Sequence, residues 1–197
     1  MAIIVDKVQK RKDIALTCKT LFVKQGIKNL TISQIAKEAG VGKGTLYDYF
    51  KNKEDIVFEI LNTLIVEHDA RKEQRIAQVD TTKEKIKLFF EFFYNDEVEL
   101  RELYKEFISI TLSEPNLEMS AYQAECYETY AAWLKRILQE GVEKGEIVEK
   151  SLALSNGLFA FGKGIFITSC VTNKTHNLQQ EIDEYIDTLF DLIEVKK

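Results

Sequence analysis

Residues 31–53 read TISQIAKEAGVGKGTLYDYFKNK, and this stretch predicts two short helices with a tight turn between them. Thr31 is expected to cap the first helix because a glutamine follows three residues later, which is the spacing of a capping box. Gly40 is expected to end that helix, since glycine adopts the left-handed cap conformation at little steric cost. Leu46 and Phe50 then place an apolar stripe on the second helix. Two helices joined by a short glycine-containing turn are typical of a helix-turn-helix, whose second helix enters the major groove of DNA.

This stretch resembles the DNA-binding domain of the TetR family of bacterial transcriptional regulators. The pattern of that family is matched at Thr31, Ile35, Ala36, Gly40, Val41, Gly44, Thr45, Leu46, Tyr47, Phe50 and Lys53. The preceding segment also resembles the first helix of the family and the residues that follow that helix. The matching residues are Ile14, Ala15, Leu21, Phe22 and Gly26. The resemblance covers about the first sixty residues, and beyond them only the helical architecture and the length match.

The resemblance implies a DNA-contacting surface to which both helices contribute. Positions that contact the phosphate backbone are occupied by Thr31, Tyr49 and Lys53. Positions that reach base edges or nearby phosphates are occupied by Lys43, Gly44, Thr45 and Tyr47.

Gly42 precedes the second helix and Asp48 lies within it, and the family pattern does not predict either residue. Gly42 stands where the family usually has Ser or Thr, so the helix keeps a capping residue but lacks a hydroxyl that would reach a phosphate. Asp48 lies at a position where the family varies. Its carboxylate can accept a hydrogen bond from cytosine N4, and it also repels phosphates. We therefore include Asp48 in the DNA-binding surface and expect it to affect selectivity more than affinity.

The charge of the chain is divided unevenly along its length. The net charge is −5, which by itself does not suggest a DNA-binding protein. Residues 1–53, however, hold eleven Lys and Arg against four acids, which gives +7, and the remainder carries −12. A basic head on an acidic body places the phosphate-facing surface at the N-terminal end.

Composition predicts an all-α protein, since the 197 residues include one proline and nine glycines and are rich in helix formers. We expect a three-helix DNA-binding domain over residues 1–53 and a helical ligand-binding and dimerisation domain over residues 54–197. Helices are predicted at about 53–78, 97–112, 117–144, 151–172 and 177–195, with a further helix starting after Thr81.

Several classes of protein are not expected. No stretch of about eighteen uninterrupted apolar residues and no signal-peptide pattern is present, so we expect a cytoplasmic protein without a membrane partner. The cysteines and histidines show no metal-ligand spacing, so no metal or cofactor is expected. Cys18 is expected in the core. His68 and His176 are expected at the surface or at helix ends. A Gly-rich phosphate loop, an HExxH motif and a GxSxG motif are all absent, so no enzyme is expected.

Eleven of the twenty-one aromatic residues fall between Phe89 and Trp133. Each by itself is expected to fill the core of a helical bundle, whereas as a group they fit an apolar ligand pocket between helices. In the TetR family the helices after the DNA-binding head enclose an effector site, so the resemblance implies a small apolar or aromatic effector. The candidate ligand-binding residues are Phe93, Tyr104, Phe107, Tyr122, Cys126, Tyr130 and Trp133.

The last two predicted helices carry more apolar surface than one small bundle can cover. Residues 151–172 are apolar nearly all round, and a helix of that kind has to be buried on every side. Self-association through these helices is the interpretation that the resemblance also implies, and the alternative is that both helices are internal.

These observations predict a ligand-responsive homodimeric regulator, most simply a repressor, that binds a palindromic DNA operator. Effector binding would shift the helix that starts at Lys53 and thereby change the separation of the two recognition helices. The alternative is a DNA-binding protein whose helical body docks a protein partner instead of a small molecule.

Overall fold

The computed structural model describes residues 6–94, 98–113, 117–172 and 177–196. Its helices are α1 (Lys7–Thr17), α2 (Lys19–Gln25), α3 (Ile32–Glu38), α4 (Lys43–Tyr49), α5 (Lys53–Ile76), α6 (Thr82–Phe90), α7 (Val98–Ser113), α8 (Leu117–Glu143), α9 (Ser155–Thr172) and α10 (Leu178–Ile193). Short 3-10 turns lie at Ile27–Asn29, Glu91–Phe93 and Glu149–Leu154. Over the described ranges the extended pairing is limited to an isolated bridge between Ile147 and Glu194. The prediction of an all-α protein with an N-terminal helix-turn-helix is confirmed.

The chain divides into two compact units. The first unit comprises Met1–Asp69 and Glu97–Glu114, and the second comprises Ala70–Asp96 and Pro115–Lys197. These two units are defined by how closely their residues pack. The predicted boundary after residue 53 separates a DNA-binding function from a ligand-binding function, and it stays a prediction.

The first unit is built on side chains that recur every three or four residues along short helices. The core side chains of α1 to α4 are fully or almost fully buried, and they include Ile14, Cys18, Phe22, Ile35, Leu46 and Phe50. Removing each large apolar side chain from water stabilises the fold by about 1.5–3 kcal/mol. The predicted burial of Cys18, Leu46 and Phe50 is therefore confirmed, whereas Leu21, another residue that matches the family pattern, is only partly buried.

The second unit packs α6 against α8 and α10, and α9 against α8 and α10. Ile86 and Phe90 of α6 and Leu134 and Leu138 of α8 are almost entirely buried. The amino-terminal end of α6 is held by Glu146, whose carboxylate accepts a hydrogen bond from the Thr82 N–H at 2.7 Å. The unit is therefore fixed both by apolar packing and by a polar contact at a helix start.

One expectation from the sequence needs correction. His68 is buried, with 6% of its surface exposed, whereas a surface or helix-end position was expected. On α9, a Cβ atom at Gly162 would meet Phe90 and Phe93, whereas one at Gly157 or Gly164 would meet nothing within 4 Å. His176 lies outside the described residues.

One helical segment, Glu149–Thr172, is long and apolar enough to cross a membrane by length and composition alone, and 28% of its apolar window is buried within the chain. Lys163 lies midway along α9 and donates a hydrogen bond to Gln123 Oε1 at 3.1 Å. The absence of a membrane partner stays a prediction.

Candidate nucleic-acid interface and effector site

The helix-turn-helix is held by local hydrogen bonds that the sequence specifies. Thr31 Oγ1 accepts from the Gln34 N–H at 3.3 Å, and the Gln34 side chain accepts from the Thr31 N–H at 2.9 Å, which completes the capping box. Gly40 has a φ of 66°, in the left-handed region that favours glycine. The turn then closes because the Val41 N–H donates to the Ala36 carbonyl at 3.0 Å. The predicted cap and turn are confirmed.

Helix α4 has one buried face and one exposed face. Leu46 is buried, and Phe50, which follows the helix, is buried beside it. The residues turned outward are exposed, and they are Lys43, Gly44, Thr45, Tyr47 and Asp48. Tyr47 is 58% exposed, and its ring is available at the surface of the helix. The exposed face thus combines a cation, a hydroxyl, an aromatic ring and a carboxylate.

The three predicted backbone-contacting residues also have structural contacts inside the chain. Thr31 provides the cap of α3, and Lys53 Nζ donates to the carbonyls of Lys28 and Leu30, both at 3.3 Å. The carbonyl of Tyr49, whose side chain is half-buried, accepts a hydrogen bond from Arg11. A role in DNA contact stays a prediction for all three, and substitution would also alter the local structure.

Arg11 is a residue that the sequence reasoning missed. Its guanidinium binds Asp55 Oδ1 at 2.6 Å and Glu59 Oε2 at 2.7 Å, both on α5. It also lies 4.4 Å from the centroid of the Phe50 ring. The partners are 44 and 48 residues away in the chain, so no local spacing in the sequence indicates them.

The second unit holds a buried cation among aromatic rings. Lys72 is 8% exposed, and its Nζ lies 5.2 Å from the centroid of Phe89, 5.5 Å from that of Tyr130 and 5.3 Å from that of Trp133. Aromatic faces attract a cation electrostatically, by about 0.5–2 kcal/mol for each contact. Tyr130 and Trp133 belong to the predicted ligand-binding set, whereas Lys72 was not predicted, since its neighbourhood in the sequence is polar.

The predicted ligand-binding residues are divided between the two units. Tyr104 and Phe107 lie on α7 in the first unit, where Phe107 is buried with its ring centroid 6.1 Å from that of Phe58. The other predicted residues belong to the second unit, and they are Phe93, Tyr122, Cys126, Tyr130 and Trp133. In that unit Phe93 packs on Phe166 at 5.3 Å. Ligand contact stays a prediction for each member of the set.

Several apolar side chains of α9 and α10 are exposed. Phe161 of α9 stacks on Tyr185 of α10 with centroids 3.8 Å apart. Val171 and Leu192 are each 75% exposed, and Tyr185 is 42% exposed. Association of two copies through α9 and α10 stays a prediction.

Comparison with known proteins gives one family. Residues 18–60 match the model of bacterial regulatory proteins of the tetR family. The fatty acid metabolism regulator protein of Bacillus subtilis (strain 168) is 33% identical over 129 residues, which span 66% of this chain and 66%, just under two thirds, of that protein. The structure of the Bacillus subtilis regulator FadR in complex with stearoyl-CoA superposes with a TM-score of 0.69 at 28% identity, covering 90% of this chain and 96% of that chain. A TetR-family regulator from Cytophaga hutchinsonii, at 16% identity and 96% coverage of both chains, superposes with a TM-score of 0.78 and shows the shared fold.

Proposed function

This chain belongs to the tetR family of bacterial regulatory proteins, and we propose that it is a DNA-binding transcriptional repressor released from its operator by a small-molecule effector. The observation that carries the proposal is the exposed face of α4, which presents Lys43, Thr45, Tyr47 and Asp48 from a rigidly capped helix-turn-helix. The excess of positive charge in residues 1–53 supports the same orientation toward DNA.

We propose that α4 lies in the major groove with Lys43, Gly44, Thr45, Tyr47 and Asp48 facing base edges or the phosphates beside them. Thr31, Tyr49 and Lys53 flank this face and contact the backbone on either side. Phosphate contacts fix the register of the protein, while the base contacts of α4 provide sequence discrimination.

The effector that the second unit suits is an apolar molecule with an acidic group. The rings of Phe89, Tyr130 and Trp133 supply an apolar wall, and Lys72 places a cationic side chain beside it. A relative from Bacillus subtilis is named a fatty acid metabolism regulator, and the FadR structure contains stearoyl-CoA, which is an acidic molecule with a long apolar chain. We therefore propose a fatty acyl thioester or a chemically similar amphiphile as the effector class.

We also propose that the protein acts as a homodimer through α9 and α10. The exposed apolar side chains of these helices, together with the open backbone at Gly157 and Gly164, suit close packing against a second copy. Two copies related by a two-fold axis would present two α4 helices to a palindromic operator.

The DNA-binding part of the proposal is tested by selecting a preferred sequence from random duplex DNA with the full-length protein. Lys43→Ala should weaken binding to the selected operator, reduce sequence discrimination and lower the salt slope by about one. Lys53→Ala should weaken binding to all DNA sequences about equally, with a similar decrease of the salt slope. Lys150→Ala removes an exposed charge from the second unit and is the control. Failure of the wild-type protein to enrich any sequence would contradict the regulator function.

The effector part is tested by fluorescence, because Trp133 is the single tryptophan of the chain. Stearoyl-CoA should change the Trp133 emission and weaken operator binding by roughly 5–150-fold, the range of typical allosteric coupling. Tyr130→Ala should abolish the response and leave operator affinity in its absence largely unchanged. Lys72→Gln should weaken stearoyl-CoA binding more than that of an uncharged long-chain ester. No response to either compound would contradict this effector class and favour a protein partner.

A further inference from the structure

Arg11 connects the end of the recognition helix to the helix that follows it. Arg11 Nη1 donates to the carbonyl of Tyr49, the last residue of α4. The same guanidinium binds Asp55 and Glu59 in the first two turns of α5, at 2.6 and 2.7 Å. One planar group thus holds three oxygen atoms that belong to two different helices.

The carboxylates of this cluster depend on Arg11 for their charge balance. The side chains of Asp55 and Glu59 are only 15% and 13% exposed, against 26% for Arg11. A carboxylate that is largely removed from water is costly without a partner, and a charge-assisted contact with a guanidinium is stronger than a neutral hydrogen bond. The cluster therefore has one favoured arrangement of its groups.

Asp55 extends the cluster into the connection between α4 and α5. Its Oδ2 accepts from the Lys51 N–H at 3.0 Å, and its own N–H donates to Asn52 Oδ1 at 2.8 Å. The Phe50 ring, which starts this connection, lies under the Arg11 guanidinium at 4.4 Å. The connection is thereby fixed at its start, its middle and its end.

We propose that Arg11 is a positioning residue for operator recognition: it fixes α4 to the first turns of α5, so that the recognition helix moves only together with α5. This inference rests on the proposed function and adds a residue outside the DNA-contacting surface. Arginine is required, because a lysine ammonium keeps the charge but cannot bind two carboxylates and a carbonyl in one planar fork.

The test compares Arg11→Lys and Arg11→Gln with the wild-type protein on its selected operator and on a scrambled duplex. Both variants should bind the operator about tenfold more weakly or worse, a loss the size of one good base contact. Binding to the scrambled duplex should change by less than about threefold, and the salt slope should stay within about half a unit of the wild-type value. Circular dichroism at the assay temperature checks that each variant is folded. Lys10→Gln, an exposed neighbour on α1, is the control for loss of a positive charge.

The outcomes separate positioning from the other roles that Arg11 can have. A salt slope that falls by about one in Arg11→Gln would mean a direct phosphate contact and would overturn the proposal. Retention of the wild-type ratio between operator and scrambled DNA in both variants would also overturn it, as would loss of folding in both, since Arg11 would then only stabilise the unit. The proposed function fails separately, if the wild-type protein enriches no operator at all.

Discussion

Gly162 of α9 lies so close to Phe90 of α6 that a Cβ atom at residue 162 would come within 2.5 Å of Phe90 Cε1. Since Phe90 is fully buried, its ring has little freedom to move away. We expect Gly162→Ala to destabilise the protein by about 1–3 kcal/mol through overpacking, although alanine is the better helix former by about 1 kcal/mol. The free energy of unfolding in urea measures the effect. Gly44→Ala on α4, a helical glycine with no neighbour within 4 Å, is the control, and equal stability of the two variants would contradict the contact.

Leu192 provides a direct probe of the proposed dimer. It is 75% exposed on α10, so Leu192→Glu should leave the fold intact while placing a charge in the proposed interface. Light scattering at micromolar concentration should show a monomer, and operator affinity should fall with it. Leu112→Glu is the matched control, because Leu112 is 74% exposed and lies on α7 in the first unit. Phe190 on α10 is 1% exposed, so a charge there would report folding instead of association.

Asp48 tests how α4 discriminates among sequences. Its side chain is exposed on the same face as Lys43 and Tyr47. If the carboxylate accepts from cytosine N4, Asp48→Asn should relax specificity at one position of each half-site by about 1–3 kcal/mol. If it mainly repels phosphates, the same variant should tighten binding to random duplex DNA instead. Competition assays with single-base operator variants distinguish the two, and a profile equal to that of the wild type would exclude both roles.

Glu146 gives the stability of the protein a component that depends on pH. Burial alone would raise the pKa of Glu146, but hydrogen bonds from Thr82 and the charges of Lys144 and Lys85 lower it below the ordinary value. Because its pKa is lower in the folded state, the charged Glu146 carboxylate stabilises the fold. This stabilisation is complete above the ordinary glutamate pKa of about 4.3 and is lost as the pH falls through the folded-state pKa.

The urea midpoints at pH 7 and at pH 3.5 check this sign. Glu146→Gln should be less stable than the wild-type protein at pH 7, and the difference should shrink at the lower pH. Glu143→Gln, an exposed residue near the end of α8, serves as the control. A difference that grows on acidification would mean that Glu146 is not stabilised in its charged form.

The helix-turn-helix was predictable because its determinants are local. The Thr31 capping box, the left-handed Gly40 and the stripe of Leu46 and Phe50 each involve residues within one or two turns, and the structure confirms them. The contacts of Arg11 and Lys72 were not predictable in this way. Both cations meet partners that lie on other helices, and their own surroundings in the sequence look like ordinary solvated helix faces.

The helical class, the basic head and the exposed face of α4 all follow from local sequence pattern, since helix period, caps and charge are properties of neighbouring residues. The tertiary structure decided which side chains of each stripe became core and which stayed open. Residues 151–172 are apolar nearly all round, yet Phe166 is 4% exposed and Val171 is 75% exposed. The physical reason is that burial depends on which element packs against a face, and that partner is set by contacts across the whole chain instead of by local spacing.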